Sequence, residues 1–367
     1  MKTYITAGLY LTAEKLPDIF KPFITQEKPP EGCLKVSEAD NISITDAALL
    51  AETDNFNVYN KNGSWVFAAV HSDAKLKMSA DRAEAELYAP EGFDDPELEL
   101  LLRIFIESNM ILNGCLSLHS ACVEKDGKAI CFSGVSGTGK STRAAQWVKT
   151  LGFNWISGDR PAVLVPKKKV CGIPWDGKER FFINKSADLI GVLDVHRSDS
   201  FTRVRKITPQ QAYAFLIKQI FIPMWDTELA MYAMMNLRKL TQTIPMYRLF
   251  CGPDEKAAEE AYDIIFNKPE LIYEEEKAMK LKEGFIVRNM LGDYMVMPTG
   301  NNIAKFDGSV VINEVAAFIL EKMKTSVSKE DLLEYILKEF DVDRETASAD
   351  LDKLIEKLDG YDMIEFD

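Results

Sequence analysis

The sequence predicts a mixed α/β protein with three parts: an α+β N-terminal region (residues 1–110), a central α/β domain with a mixed sheet (111–270) and a small C-terminal module (279–367). Three observations predict this. At 367 residues the chain exceeds what one hydrophobic core organises. A glycine-rich loop separates a strand-like from a helix-like segment near the middle, and the composition changes after a charged stretch at residues 267–283.

Composition restricts the partners and the compartment. The formal charge of −13 disfavours nucleic-acid binding. No apolar run approaches the roughly 18 residues of a membrane span, and the first residues lack an export signal. Six cysteines form no C-x-x-C pair, and three histidines lack metal-ligand spacing. We therefore expect a soluble, cytoplasmic protein without a zinc site, nucleic-acid partner or membrane partner.

Short alternating segments such as residues 65–70, separated by turn clusters such as 60–63, predict small strands and hairpins in the N-terminal region. Near-helical spacing of apolar residues predicts a buried helix over 95–112. This region indicates little about chemistry.

The central domain begins with a predicted hairpin over residues 116–134, because Asp126-Gly127 is a strong hairpin signal. The pattern then predicts further elements in order: a helix at 141–151, a strand at 154–157, a hairpin at 162–172, and helices over 208–266 around a strand at 244–249. The methionines in this last segment are expected to fill the core: Met224, Met231, Met234 and Met235.

The C-terminal module has a predicted hairpin (285–289 and 294–297), a third strand (310–312) and three helices. The second helix begins at Ser328, with Asp331 in capping-box position. The third places five apolar residues on one face: Ala347, Leu351, Leu354, Ile355 and Leu358.

The strongest chemical signal is the glycine-rich loop, whose G-x-x-x-x-G-K-S pattern lies between the predicted strand and helix. Its backbone N–H groups can surround phosphate oxygens, Lys140 supplies positive charge, and the Ser141 hydroxyl can bind magnesium. The sequence therefore predicts ATP or GTP with Mg²⁺ at these positions: Gly134, Val135, Ser136, Gly137, Thr138, Gly139, Lys140, Ser141 and Thr142.

Asp159 and His119 are the candidate catalytic residues. Asp159 follows the predicted strand at 154–157, and a strand beside the phosphate-loop strand would carry its carboxylate to the terminal phosphate, to bind magnesium or accept a proton. A two-residue turn at Asp126-Gly127 would bring His119 opposite Gly134, for phosphate contact or proton handling. The alternatives are a turn aspartate and a structural histidine.

Lys178 is a further candidate for nucleotide binding. It and Asp176 lie in a loop-like segment from which both could reach phosphate or metal, and an exposed turn is an equal alternative.

These residues together resemble the catalytic domain of HPr serine kinase/phosphorylase, which has the phosphoenolpyruvate carboxykinase-like fold. The likeness spans residues 114–266 and includes the segments 118–119, 134–142, 158–159, 174–178 and 244–249. It implies that His119 and Asp159 assist phosphoryl transfer to a serine hydroxyl. Two departures stand out: Gly158 occupies the place of a first aspartate, and a second glycine-rich signature has no counterpart, which argues against phosphorylase activity and an HPr substrate.

Residues 281–366 resemble PqqD-like domains, winged-helix modules that hold the leader peptides of ribosomally made, modified peptides. The segments 284–288, 312–318 and 342–343 carry this likeness. It implies capture of a leader as an added strand, in a groove between residues 310–312 and the helix 344–358.

The leading functional hypothesis is an ATP-dependent kinase that phosphorylates a Ser or Thr of a precursor peptide, whose leader is held by the C-terminal module. Other peptide-modifying enzymes are further candidate partners, and the sequence is compatible with an oligomer. Two alternatives remain: a nucleotide-dependent protein that delivers a peptide without transfer activity, and a small-molecule kinase with an interaction tail.

Overall fold

The computed structural model describes residues 1–93, 95–175, 181–198, 202–252, 254–274, 278–290, 293–300 and 310–366. The chain divides into two compact units: Met1–Ser198 with Thr202–Ile272, and Tyr273–Asp367. Among the described residues, buried apolar side chains form three clusters in the first unit and one in the second. The expected mixed α/β class is confirmed, since helices and several separate sheets occur along the chain.

The N-terminal region forms one nine-stranded sheet in the order β3-β1-β2-β4-β9-β8-β7-β6-β5. Its strands are β1 (Lys2–Thr6), β2 (Leu9–Ala13), β3 (Ile24–Thr25), β4 (Leu34–Glu38), β5 (Ala48–Glu52), β6 (Phe56–Lys61), β7 (Ser64–Ala69), β8 (Lys75–Met78) and β9 (Glu84–Tyr88). Alternation in β8 buries Leu76 and Met78 on one face. The small strands expected here are thus confirmed.

Helix α1 (Pro96–Leu112) covers this sheet and contacts β7 and β8. It begins where the side chain of Asp95 accepts a hydrogen bond from the Glu97 N–H at 2.9 Å, and Pro96 occupies its first position. Nearly all of its apolar residues are buried, as the sequence predicts.

The central sheet contains strands β10 (Cys115–Ser117), β11 (Ser120–Lys125), β12 (Lys128–Ser133), β13 (Asn154–Ser157), β14 (Ala162–Leu164), β15 (Lys169–Cys171), β16 (Ser186–Arg197), β17 (Arg203–Lys206) and β18 (Met246–Cys251). The main order is β10-β14-β15-β16-β12-β11-β13, and β18 pairs with both β16 and β17. The pairs β12–β16 and β16–β18 are parallel, whereas β11–β12 and β11–β13 are antiparallel.

Helices cover both faces of this sheet: α2 (Lys140–Leu151), α3 (Pro209–Leu216), α4 (Thr227–Thr243) and α5 (Glu255–Tyr262). Residues of α2 and α5 pack with Phe132 and Leu193 on one face. Residues of α3 and α4 pack with Cys131 and Val192 on the other. Side chains of neighbouring residues in one strand thus pack on opposite faces of the sheet, as the two-residue period of a strand requires.

The β11–β12 hairpin has the predicted register, with Val123 opposite Ile130 and Ala121 opposite Phe132. The pairing ends at Ser120 opposite Ser133, so the predicted pairing of His119 with Gly134 is wrong. Asp126 and Gly127 both have positive φ (53° and 77°), which the type I′ turn requires.

The strand before this turn is shorter than predicted, because the extended segment is interrupted between β10 and β11. Strand β10 pairs with β14 instead of β12. The Leu118 N–H donates to Pro161 O and the His119 N–H to Gln219 O, so neighbouring segments, not the hairpin, satisfy the backbone here.

The prediction that the methionines fill the core is wrong for three of them: Met224, Met231 and Met235 are 78%, 52% and 63% exposed. Helix α4 instead buries the face that contains Leu229, Ala233, Leu237 and Leu240. Residues 231 and 235 lie on the opposite face at helical spacing.

The second unit contains β19 (Tyr273–Glu274), β20 (Met279–Leu281), β21 (Phe285–Met290), β22 (Asp293–Pro298), β23 (Val310–Ile312), α6 (Glu314–Lys322), α7 (Lys329–Glu339), α8 (Arg344–Gly360) and β24 (Ile364–Phe366). Strands β21, β22 and β23 form an antiparallel sheet in that order, and β20 pairs with β24. The expected three strands and three helices are present, and Ser328 caps α7 by accepting the Asp331 N–H at 3.1 Å.

Within the described part of the chain, no helix has both the length and the apolar character needed to cross a bilayer.

Candidate functional site

The glycine loop connects the end of β12 to the start of α2. Gly134 has φ +142°, and a Cβ there would lie 3.0 Å from Thr138 Oγ1 and 3.1 Å from the Val195 carbonyl oxygen. Gly137 and Gly139 also have positive φ (85° and 98°). A side chain at Gly134 would therefore strain the backbone and collide with the neighbouring strand β16.

The start of α2 offers backbone hydrogen-bond donors. Gly139 occupies the N-cap of α2, and no side chain among the described residues caps that helix end. The first N–H groups of a helix lack intrahelical partners, so they are available to an anion. The Lys140 ammonium group donates to Gly134 O at 3.0 Å and approaches Val135 O at 3.4 Å, across the loop.

His119 and Asp159 come together beside this loop. His119 Nε2 lies 3.3 Å from Asp159 Oδ1, and both side chains are about one-third exposed, at 30% and 27%. The Ser120 N–H donates to the Asp159 carbonyl at 2.7 Å, and Ser133 Oγ donates to the His119 carbonyl at 2.8 Å. The start of β11, the end of β13 and the end of β12 therefore meet at one edge of the sheet.

The strand that carries Asp159 is not the neighbour that the sequence suggested. Strand β13 pairs with β11, and β11 lies between β13 and β12. Because β11 is antiparallel to both strands, its first residues lie at the same sheet edge as the last residues of β12 and β13. Asp159 reaches this edge from two strands away.

The charges around Asp159 keep it ionised. The hydrogen bond from His119 lowers the pKa of the Asp159 carboxyl, burial opposes this, and the nearby Arg160 and Lys140 cations lower it further. Burial lowers the pKa of Lys140, and the Asp159 carboxylate opposes that change. Asp159 is therefore an anion at neutral pH, with a histidine side chain and an ammonium group near it.

The donors of this site fit a polyphosphate with a divalent cation. A Cβ at Gly134 would fill the space inside the glycine loop, and the Lys140 ammonium group lies beside the Gly134 carbonyl. Ser141, in the first turn of α2, and Asp159 carry oxygen atoms that could hold magnesium. No cluster of three or more His, Cys, Asp or Glu side chains suited to a metal ion occurs among the residues that are described.

The remaining predicted loop residues vary in exposure. Val135, Ser136, Gly137 and Thr142 are exposed, and the Thr138 hydroxyl donates to the Val135 carbonyl at 2.9 Å. Lys178 and Asp176 lie outside the described residues, so their predicted contacts with phosphate stay predictions.

Several polar residues near the loop were not singled out from the sequence. Arg197, at the end of β16, donates to the Gly137 carbonyl at 2.5 Å. Asp194 precedes Arg197 in the same strand. Its Oδ2 lies 2.9 Å from His196 Nε2 and 3.3 Å from Arg248 Nε. The signal that could have found them is the position of Asp194 and Arg197 at the carboxyl end of a strand parallel to β12.

The sequence also did not single out three charged residues near Asp159: Arg160, Arg103 and Glu107. Arg160 Nε lies 3.7 Å from Asp159 Oδ2, and Arg103 Nε lies 3.8 Å from Glu107 Oε2. Arg160 follows Asp159 directly in the sequence and could have been noticed. Arg103 and Glu107 belong to α1, and nothing in their local pattern indicates that they lie near Arg160.

The second unit has a groove at the place predicted for a leader peptide. It has a volume of about 210 Å³ and is lined by Val310 and Ile312 of β23, by Leu354 and Leu358 of α8, and by Tyr361, which follows α8. Within the described residues β23 is an edge strand, paired with β22 alone, and Val311 is exposed. An edge strand next to an apolar groove can accept a further strand.

A search of curated protein sequences finds no match to this chain. Among solved structures, TbiB1 in complex with the TbiA(beta) leader peptide is similar at 16% identity, with a TM-score of 0.21, over 23% of this chain and 94% of that chain. This likeness is too weak to define a shared fold. Residues 295–364 match the family described as Coenzyme PQQ synthesis protein D (PqqD). The C-terminal part of this chain therefore contains a PqqD domain, a module of the kind called a RiPP recognition element.

Proposed function

We propose that this chain is a kinase that transfers the terminal phosphoryl group of ATP or GTP to a Ser or Thr hydroxyl of a ribosomally made precursor peptide. The observation that carries the proposal is the His119–Asp159 pair, 3.3 Å apart, beside a glycine loop with a lysine across its mouth. The resemblance of this loop and pair to HPr serine kinase supports the same reaction.

Each residue has a distinct task in this mechanism. The loop N–H groups and Lys140 hold the phosphates, and Asp159 accepts the proton of the acceptor hydroxyl. The alcohol oxygen forms a bond to the terminal phosphorus while the bond to the bridging oxygen breaks, and the nucleoside diphosphate leaves with that oxygen. His119 holds the carboxylate in place and contacts the transferred phosphoryl group.

Magnesium held by Ser141 and Asp159 would neutralise phosphate charge. Because Gly158 stands where HPr kinase has another aspartate, Asp159 is the carboxylate that serves both the metal and the proton.

The PqqD domain would bind the leader of the precursor peptide. The exposed edge of β23 offers backbone hydrogen bonds, and the apolar groove against α8 offers pockets for side chains. A held leader raises the local concentration of the core peptide, so even a weakly recognised serine could be phosphorylated efficiently.

The test is to incubate the protein with ATP, magnesium and the small peptide encoded beside its gene, then locate added phosphate by mass spectrometry. We expect phosphorylation by the wild type, and a loss of roughly 10²–10⁴-fold in Asp159→Asn with nucleotide affinity retained. Full turnover in Asp159→Asn would contradict the assignment of the base. Nucleotide-dependent peptide binding without transfer in the wild type would instead identify a delivery protein, and phosphorylation of a small metabolite alone would identify a small-molecule kinase.

A further inference from the structure

A cavity in the second unit continues the groove between β23 and α8. Its volume is about 370 Å³, and it lies between the start of α6, the end of α7 and the first half of α8. Three residues line both the groove and the cavity: Asn313, Ala316 and Leu354. The groove therefore extends beyond the end of β23 as one continuous surface.

The cavity has mostly apolar walls. They include Val315, Ile319, Ile336, Phe340, Val342 and Leu351. On α8, the residues that line the groove and the cavity run from Ala347 to Leu358. At 1.5 Å per residue this is roughly 16 Å, the length of about five residues of an extended strand. Because β23 has only three residues, a peptide that pairs with it would continue past it and place a side chain in the cavity.

The charged side chains differ between the two ends of this continuous surface. Lys357 lines the groove, whereas Asp341 and Asp350 line the cavity, and no Lys or Arg is among the described residues that line the cavity. The Asp350 carboxylate pairs with the Lys353 ammonium group at 3.0 Å. Asp341 is exposed and forms no ion pair within the described part of the chain. Asp341 is thus the carboxylate at the cavity that a ligand can neutralise.

The charge of the whole second unit has the same sign as this end of the surface. Residues 273–367 contain 22 Asp and Glu against 12 Lys and Arg, so they carry a formal charge of −10 out of −13 for the chain. Three further carboxylates, of Glu314, Glu321 and Glu339, line a neighbouring cavity that shares Phe340 with the first. This concentration of negative charge attracts a basic peptide segment and repels an acidic one.

We propose that the leader peptide carries a Lys or Arg beside an apolar residue, and that the apolar side chain fills the cavity while the basic group pairs with Asp341. This inference rests on the proposed capture of the leader by the PqqD domain, and it adds the chemical class of the segment that is recognised. It also gives the position of that segment. The basic residue lies beyond the part of the leader that pairs with β23, on the side of Asn313, because Lys357 repels it at the other end.

The test is a titration of the full chain with a fluorescent synthetic leader, copied from the small peptide encoded beside the gene, and followed by anisotropy. A second form of this leader has each Lys and Arg replaced by Gln. We expect the wild type to bind the basic form roughly three- to tenfold more tightly, as one or two partly exposed ion pairs would give. This preference should shrink as the salt concentration rises.

Asp341→Asn should remove most of the preference and leave the affinity for the Gln form unchanged. The matched control is Glu356→Gln, which removes a carboxylate from an exposed position of α8 outside the groove and the cavity, and it should keep the preference. Asp341→Lys should instead prefer a leader in which Glu replaces the basic residues. A folding defect cannot produce that reversal, and thermal melting shows which variants fold.

Equal binding of both forms by the wild type, or an intact preference in folded Asp341→Asn, would overturn the inference and leave capture of the leader standing. A leader without any Lys or Arg that binds the wild type tightly would do the same. If the wild type binds neither form, capture by the PqqD domain is wrong, and this inference with it. Charge-selective binding without phosphorylation would support the inference while counting against the kinase function.

Discussion

At the scale of single residues, the candidate site depends on a small number of contacts. Ser133 Oγ donates to the His119 carbonyl and the Ser120 N–H donates to the Asp159 carbonyl, so the peptide unit after His119 is held on both of its polar groups, and the His119 side chain meets Asp159. The carboxylate is anionic because a hydrogen bond and two cations outweigh its burial. A weakly basic carboxylate suits phosphoryl transfer, where positioning and charge neutralisation contribute more than proton abstraction.

The pH dependence of transfer should report the His119–Asp159 hydrogen bond. The pKa of Asp159 is lowered below 3.8, so the anion required for transfer persists above that value and is lost as pH falls through the lower folded-state pKa. Removing the imidazole in His119→Ala deletes the largest cause of this lowering. We expect the acid limb of the single-turnover rate profile to move to higher pH in the variant.

The free energy of unfolding should depend on pH in the same direction as the transfer rate. The ionised Asp159 stabilises the folded state above its unfolded-state pKa, and that contribution disappears as pH falls through the folded-state value. Denaturation of the wild type and His119→Ala between pH 3 and pH 7 provides the control for loss of folding. Identical acid limbs in two folded proteins would show that His119 does not hold the carboxylate.

At the scale of elements, the proposed phosphate-binding site is made by a strand, a loop and a helix together. Strand β16 runs parallel to β12 and approaches Gly134 closely, so the loop has no space for a side chain there. Helix α2 follows immediately and begins at a left-handed glycine rather than at a capping side chain. The proposed binding element is thus the junction itself, not a surface of the helix.

Gly134→Ala should destabilise the fold by about 1–3 kcal/mol and abolish nucleotide binding, because the new Cβ meets Thr138 and the Val195 backbone in a strained conformation. The matched control is Gly152→Ala at the other end of α2, where φ is +71° and the space is open. We expect a cost of about 1 kcal/mol there with unchanged affinity. Chemical denaturation and titration with a fluorescent ATP analogue measure both effects, and tight binding by Gly134→Ala would contradict the cradle.

At the scale of the whole molecule, the two units have separate cores and separate candidate sites. The core of the second unit includes residues from all three of its helices, such as Leu320, Leu332 and Leu351. A chain built this way can bind a nucleotide in one unit and a peptide in the other without sharing side chains. This arrangement favours independent loss of the two binding activities.

Leu354→Lys should reduce affinity for the precursor peptide at least tenfold, about 1.4 kcal/mol, because it places a charge in the groove between β23 and α8. Nucleotide affinity should not change. The control is Lys353→Ala at the adjacent position, whose 76%-exposed side chain pairs with Asp350, and it should bind the peptide normally. Calorimetric titration of both ligands measures this, and parallel loss of nucleotide binding in Leu354→Lys would show that the sites are coupled.

The sequence by itself determined the features that depend on short stretches of chain. The Asp126-Gly127 turn gives the predicted pairing of β11 with β12, the glycine loop joins a strand to a helix, and Ser328 caps its helix as predicted. These features follow from turn geometry, capping and periodicity, which act over a few residues. The PqqD domain was likewise recognisable from the order of its short segments.

Only the tertiary structure decided which distant segments became neighbours. It placed β13 beside β11, broke the strand before Ser120, and turned Met231 and Met235 outward. It also brought the Arg103 and Glu107 side chains of α1 into the electrostatic environment of Arg160. Strand order and helix rotation minimise the free energy of the whole packed core, so a local pattern that is satisfied equally by several arrangements does not specify them.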